Sequence, residues 1–72
     1  QKTMWYEGYV DGYHYRAKVY DEGSIYGINE GRISKLWISR DGRTVASYDR
    51  GWDIRPDAEA QAAFEKIITR FS

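Results

Sequence analysis

The chain has 72 residues, with 11 Lys and Arg against 11 Asp and Glu for a formal net charge of zero, no cysteine and one histidine. That length is one domain, 1–72, and the even charge balance removes the electrostatic footprint of a protein built to live on DNA, RNA or anionic lipid. Without thiols there are no disulfides or thiolate metal sites, and one histidine does not make a His-rich site, so neither metal nor cofactor is expected. Three Trp, seven Tyr and two Phe make a dense aromatic core, self-association, or both the expected source of stability in so short a chain.

The first element is a hairpin. From Met4 to Tyr20 apolar and polar residues alternate around Asp11-Gly12, a strong local signal for a two-residue type I′ turn. Strands over about 3–10 and 13–20 follow, with Val10 facing Tyr13, Gly8 facing Tyr15, Tyr6 facing Ala17 and Met4 facing Val19 on an apolar face. The other face pairs Tyr9 with His14, Glu7 with Arg16 as a charge pair, and Trp5 with Lys18 in reach of a cation–π contact.

Residues 21–32 form a loop too long for a hairpin turn, holding Gly23, Gly27 and Gly31. Ile25, Tyr26 and Ile28 are apolar enough to fold back on the core. The loop is therefore expected to be a compact Ω-type element whose polar groups, Asp21, Glu22, Ser24, Asn29, Glu30 and Arg32, face outward together. The glycines are expected to supply positive φ angles.

A third strand over about 32–40, apolar on both sides near Leu36-Trp37-Ile38, belongs in the middle of the sheet or at a subunit contact. Asp41-Gly42 turns it into a fourth strand, about 43–54, which pairs Val45 with Ile38 if the loop has two residues or with Trp37 if it has three. Gly51 reads as a bulge within that strand, re-aiming Trp52. Asp57 then caps a helix over about 57–71 that Arg70 closes, with Ala60, Ala63, Phe64, Ile67, Ile68 and Phe71 on one face. The expected fold is α+β, ββ-loop-ββα: a four-stranded antiparallel sheet of two hairpins with the C-terminal helix on one face.

Two surfaces are candidate sites, the first the expected recognition surface and the second a further contact. The first is the loop with the neighbouring strand end: Asp21, Glu22, Ser24, Tyr26, Asn29, Arg32, Tyr48, Arg50 and Trp52, suited to a protein partner or, through freed backbone amides, a small anionic or nucleotide-like ligand. The second is the helix-free sheet face with Trp5, Tyr9, His14, Arg16 and Lys18. Single-stranded nucleic acid stacks on such faces, but the balanced charge favours a protein contact through the same rings, including a homodimer through Trp37 or the Trp5–Tyr9 face. No nucleophile elbow, P-loop or dinucleotide fingerprint is present, so the chain is not expected to be an enzyme. There is no apolar run near the roughly 18 residues a membrane span needs and no basic-then-apolar leader, so a soluble, cytoplasmic protein is expected.

The runs Ala17-Lys18-Val19-Tyr20-Asp21-Glu22-Gly23-Ser24, Tyr26-Gly27-Ile28, Gly31-Arg32-Ile33-Ser34-Lys35-Leu36 and Tyr48-Asp49-Arg50-Gly51-Trp52 resemble a family of small uncharacterised proteins from bacteria, their phages and mobile elements. The resemblance covers most of the chain. It implies a mobile-element setting in which small proteins act by binding, for instance by inhibiting a host defence system or sequestering a nucleotide signal.

Overall fold

Asp11 and Gly12 both occupy the left-handed backbone region, with φ of 52° and 81°, as a type I′ turn requires. In this computed structural model, which describes residues 2–72, the turn joins β1 (Thr3–Val10) to β2 (Tyr13–Tyr20). The register runs unbroken from Val10↔Tyr13 to Thr3↔Tyr20, as the alternation predicts. Gly8 sits opposite Tyr15, and a Cβ at Gly8 would lie 2.9 Å from the Tyr15 hydroxyl. The missing side chain is what lets that ring fold across the strand.

The second hairpin, between β3 (Ile33–Arg40) and β4 (Arg43–Asp49), also turns on two left-handed residues, Asp41 and Gly42, with φ of 52° and 76°. Neither expected pairing of Val45 is realised. Arg40↔Arg43 and Ser39↔Thr44 are followed by Ile38↔Ala46, so Val45 is the extra residue of a bulge. The physical reason is the slip rule: a one-residue shift exchanges the two faces of a strand. Without the bulge Tyr48 would pair on the helix-free side, whereas with it Tyr48 pairs with Leu36 and is buried. A second bulge, at Ser34 between Lys18↔Lys35 and Val19↔Ile33, brings Ile33 into the core beside Val19 in the same way.

The predicted fourth strand is two strands. At Asp49-Arg50-Gly51 the chain reverses rather than bulging: Arg50 takes φ 57°, the Asp49 N–H donates to the Gly51 carbonyl (2.9 Å) and the Arg50 N–H to that of Ser34 (2.9 Å). β5 (Trp52–Ile54) returns antiparallel to β4, giving a five-stranded sheet in the order β1-β2-β3-β4-β5. The residue with positive φ is Arg50, beside the glycine that suggested a bulge.

The helix α1 (Gln61–Arg70) is shorter than expected. Asp57 does cap, but it caps the turn leading in, its Oδ1 accepting the Ala60 N–H at 2.9 Å. Ala60, Ala63, Phe64, Ile67 and Phe71 are buried against Tyr15, Ala17, Val19, Leu36, Ile38, Ala46 and Tyr48, with Ile68 and Trp52 packed at the margin. Burying each large side chain contributes about 1.5–3 kcal/mol before entropy. Trp52 meets Tyr48 and Phe64 edge-on at 5.1 and 5.4 Å, joining β5 to the helix. Lys66 Nζ donates to both carboxylate oxygens of Asp11 (3.0 and 2.9 Å) and Arg70 Nη1 to the Tyr15 hydroxyl (2.9 Å), tying the helix to the first hairpin. No helix among the described residues is long and apolar enough to cross a membrane.

Candidate functional site

Because α1 occupies one face of the sheet, strand parity leaves Trp5, Glu7, Tyr9, His14, Arg16, Lys18, Lys35 and Trp37 on the other. The register aligns them in rows. Glu7, Arg16, Trp37, Ser47 and Ile54 form one, and Trp5, Lys18, Lys35 and Asp49 the next. The two indoles meet diagonally over β2, nearly parallel, with ring centroids 6.0 Å apart and planes inclined by 15°. Arg16 lies over the Trp5 ring with its guanidinium carbon 5.2 Å from the centroid. Trp5 is 46% and Tyr9 73% exposed, so this apolar area faces solvent in the single chain.

The polar contacts on this face differ from the predicted pairs. Glu7 accepts from His14 Nε2 at 2.6 Å rather than from Arg16, and the cation over Trp5 is Arg16 rather than Lys18. Both are contacts along the same diagonal across the hairpin, farther than the directly opposed residue but within reach of long and aromatic side chains, and strand twist favours one diagonal over the other. His14 also packs against Tyr9, with ring centroids 5.2 Å apart. Lys35 reaches Asp49 at 3.8 Å. The predicted sheet-face residues Trp5, Tyr9, His14, Arg16 and Lys18 are thus brought together. Trp37, Lys35 and Ile54 complete the face and were not assigned to it from sequence. Trp37 and Lys35 reach it through a β2–β3 register that no tight turn fixes, and Ile54 through the reversal at Asp49–Gly51, where the sequence suggested only a bulge.

The loop is organised differently from the expectation. Only Ile28 folds into the core, while Ile25 and Tyr26 are exposed. Arg32 turns inward: its Nε donates to the Tyr20 carbonyl at 2.9 Å and its Nη1 to that of Ser72 at 3.4 Å. Four loop amides are used on loop carbonyls, Ser24 N–H on that of Gly31, Gly27 on Ser24, Glu30 on Gly27 and Gly31 on Ile28. The Tyr26 N–H takes the Ser24 hydroxyl. Asp21, Glu22, Asn29 and Arg50 are exposed and Ser24 half-buried. Tyr48 is buried, its hydroxyl donating to the Tyr26 carbonyl at 2.8 Å, and burial raises its pKa above the ordinary phenolic value. Trp52 is half-buried in the aromatic contacts already described. Tyr48 and Trp52 therefore support the loop and the helix from beneath.

A further concavity of about 450 Å³ opens beside the second hairpin, lined by Tyr13, Arg40, Asp41, Arg43, Val45, Asp57 and Glu59. Its charges answer one another, with Arg40 over the Tyr13 ring at 4.9 Å and 3.8 Å from Glu59. Among the described residues no group of three or more His, Cys, Asp or Glu is placed to hold a metal ion.

No curated protein and no solved structure matches the chain. Residues 4–72 match the model of a family described as a domain of unknown function, DUF7678. That match spans both hairpins, the loop, β5 and α1, the elements that place the open face and the clamped loop, and on it the chain belongs to the DUF7678 family.

Proposed function

We propose that this protein is a non-enzymatic module that works by binding another protein, with the helix-free sheet face as its contact surface. The observation that carries the reading is the Trp5–Trp37 pair, stacked at 6.0 Å with Arg16 over Trp5 at 5.2 Å on the open side of the sheet. Trp, Tyr and Arg are the residue types that concentrate binding energy at interface centres, and exposed rings lose the most unfavourable hydration when a partner covers them. Around them Glu7 with His14 and Lys35 with Asp49 form a polar rim. The loop is the weaker candidate for a small anion or nucleotide signal, because the amides of Ser24, Tyr26, Gly27, Glu30 and Gly31 are bonded within the loop and the Arg32 guanidinium donates to backbone carbonyls. The setting that accompanies this reading is a bacterial or mobile-element cytoplasm, with inhibition of a host defence system as the role. It rests on the sequence resemblance.

The experiment is cross-linked capture from bacterial extract with three baits: the native chain, Trp5→Ala/Trp37→Ala, and Asp21→Ala/Asn29→Ala. A protein recovered by the native and loop-variant baits but lost with the indole variant supports the open face. Recovery lost only with the loop variant, or a large thermal shift with a nucleotide from a screening panel, would transfer the site to the loop.

A further inference from the structure

The two edges of the sheet are not alike. β5 is three residues long, carries Asp53 as an unmatched extra residue, and runs into Arg55-Pro56, which has no second N–H to offer. Those are the devices by which proteins close a sheet edge against other strands. β1 has none of them. It is eight residues long, pairs with β2 without a register shift, contains no proline, and its only ionisable carboxylate or cation is Glu7. Large apolar side chains stand exposed on both of its faces, Met4 at 60% and Tyr6 at 41% on the helix side, Trp5 and Tyr9 on the other.

Hairpin geometry states which backbone groups are left over. The pair flanking a two-residue turn, Val10↔Tyr13, is hydrogen-bonded and pairs alternate from there. Val10, Gly8, Tyr6 and Met4 therefore spend their N–H and C=O groups on β2, whereas those of Thr3, Trp5, Glu7 and Tyr9 point away from the sheet.

We infer that this edge pairs with β1 of a second copy, antiparallel and centred on Tyr6, joining two five-stranded sheets into one continuous sheet. A second copy is the occupant because the strand is complementary to itself in this register. A two-fold axis perpendicular to the sheet keeps like faces together and allows only registers centred on a residue. Centred on Tyr6, Thr3 lies opposite Tyr9 and Trp5 opposite Glu7, so every outward-pointing residue meets another and exchanges both hydrogen bonds. On the helix side Met4 lies opposite Gly8, where the Tyr15 ring offers it an aromatic surface, and Tyr6 opposite Tyr6. Centring on Glu7 would set two carboxylates against each other, and centring on Trp5 would leave Tyr9 without an opposite residue in the strand. The assembly places both Trp5–Trp37 pairs on one side of the joined sheet. It does not rest on the proposed partner contact, since it uses the backbone edge and not the ring faces.

The test uses the absence of native cysteine. Tyr6 meets its own symmetry mate as a non-hydrogen-bonded pair, with Cα atoms about 4.5 Å apart, within disulfide reach. The two Met4 residues are four positions out of register, roughly 13 Å apart. Under mild oxidation Tyr6→Cys is expected to form a covalent dimer at least tenfold faster than Met4→Cys. The native chain is expected to sediment as a dimer at high micromolar concentration. Glu7→Pro, which removes an outward N–H and leaves the β1–β2 bonds intact, is expected to sediment as a monomer. A second readout on the native chain guards against a variant that fails to fold: the amides of Trp5, Glu7 and Tyr9 should exchange slowly at high concentration and at least tenfold faster on dilution. A native chain that stays monomeric, a Met4→Cys that links faster than Tyr6→Cys, or a dimer lost on Trp37→Ala but kept in Glu7→Pro would overturn the edge assignment.

Discussion

Gly27 shows what the repeated glycines of the loop are for. Gly23, Gly27 and Gly31 recur at four-residue spacing, yet none has positive φ; the left-handed residues of the loop are Asn29 and Glu30, at 53° and 58°. The glycines serve close approach instead. A Cβ at Gly27 would overlap the Gly31 carbonyl oxygen, and one at Gly23 would lie 2.8 Å from that of Glu30. Since the obstacle is backbone and not a flexible side chain, Gly27→Ala should destabilise by about 3 kcal/mol, the upper end of what overpacking costs. Gly51→Ala meets nothing within 4 Å and needs no positive φ, so it should be neutral or stabilising by up to about 1 kcal/mol through the unfolded chain. Urea unfolding of both variants decides. Equal losses would mean the loop tolerates the methyl by moving.

Among the elements, the loop is held by Arg32, whose guanidinium reaches the end of β2 at Tyr20 and the segment after α1 at Ser72 while its own carbonyl accepts the Tyr20 N–H at 2.8 Å. Hydrogen bonds from a charged donor contribute about 1.5–3 kcal/mol. Arg32→Ala should therefore lower the melting temperature by roughly 6–24 °C, at about 4–8 °C per kcal/mol for a domain of this size. Arg32→Lys should recover only part, because an ammonium lacks the planar fork that spans two acceptors. Phe64→Ala, which empties part of the core under α1, should cost more, about 3–5 kcal/mol. A melting temperature for Arg32→Ala within a degree or two of the native chain would return Arg32 to the role its position in a polar loop suggests, a group turned toward a ligand.

For the molecule as a whole, charge decides between ring-stacking partners. An aromatic and basic sheet face suits unpaired bases, but affinity for nucleic acid is dominated by phosphate neutralisation. This chain has a formal net charge of zero, and Lys35 on the open face is already opposed by Asp49 at 3.8 Å. Binding to single-stranded DNA or RNA should be weaker than micromolar near physiological salt and should show a shallow salt dependence. Fluorescence titration against a labelled oligonucleotide measures it. Sub-micromolar, steeply salt-dependent binding lost on Trp5→Ala or Arg16→Ala would replace the protein-contact reading with a nucleic-acid one.

What the sequence decides alone is local and periodic. Asp11-Gly12 and Asp41-Gly42 specify their turns because few residue pairs accept two left-handed conformations in succession, and the 3.6-residue spacing from Ala60 to Phe71 specifies a helix with one buried face. From these, the α+β class, the first hairpin's register and the cluster of Trp5, Tyr9, His14, Arg16 and Lys18 are legible. Tertiary structure decides wherever two locally acceptable conformations compete for one core. Val45 and Ser34 bulge because only then do Tyr48 and Ile33 reach the helix side. The chain reverses at Arg50, making a fifth strand, because the Asp49 and Arg50 amides find carbonyl partners there, at Gly51 and at Ser34 in β3. Arg32 points inward for the same kind of reason: its acceptors, Tyr20 and Ser72, are 12 and 40 residues away along the chain, a distance across which no sequence pattern carries information.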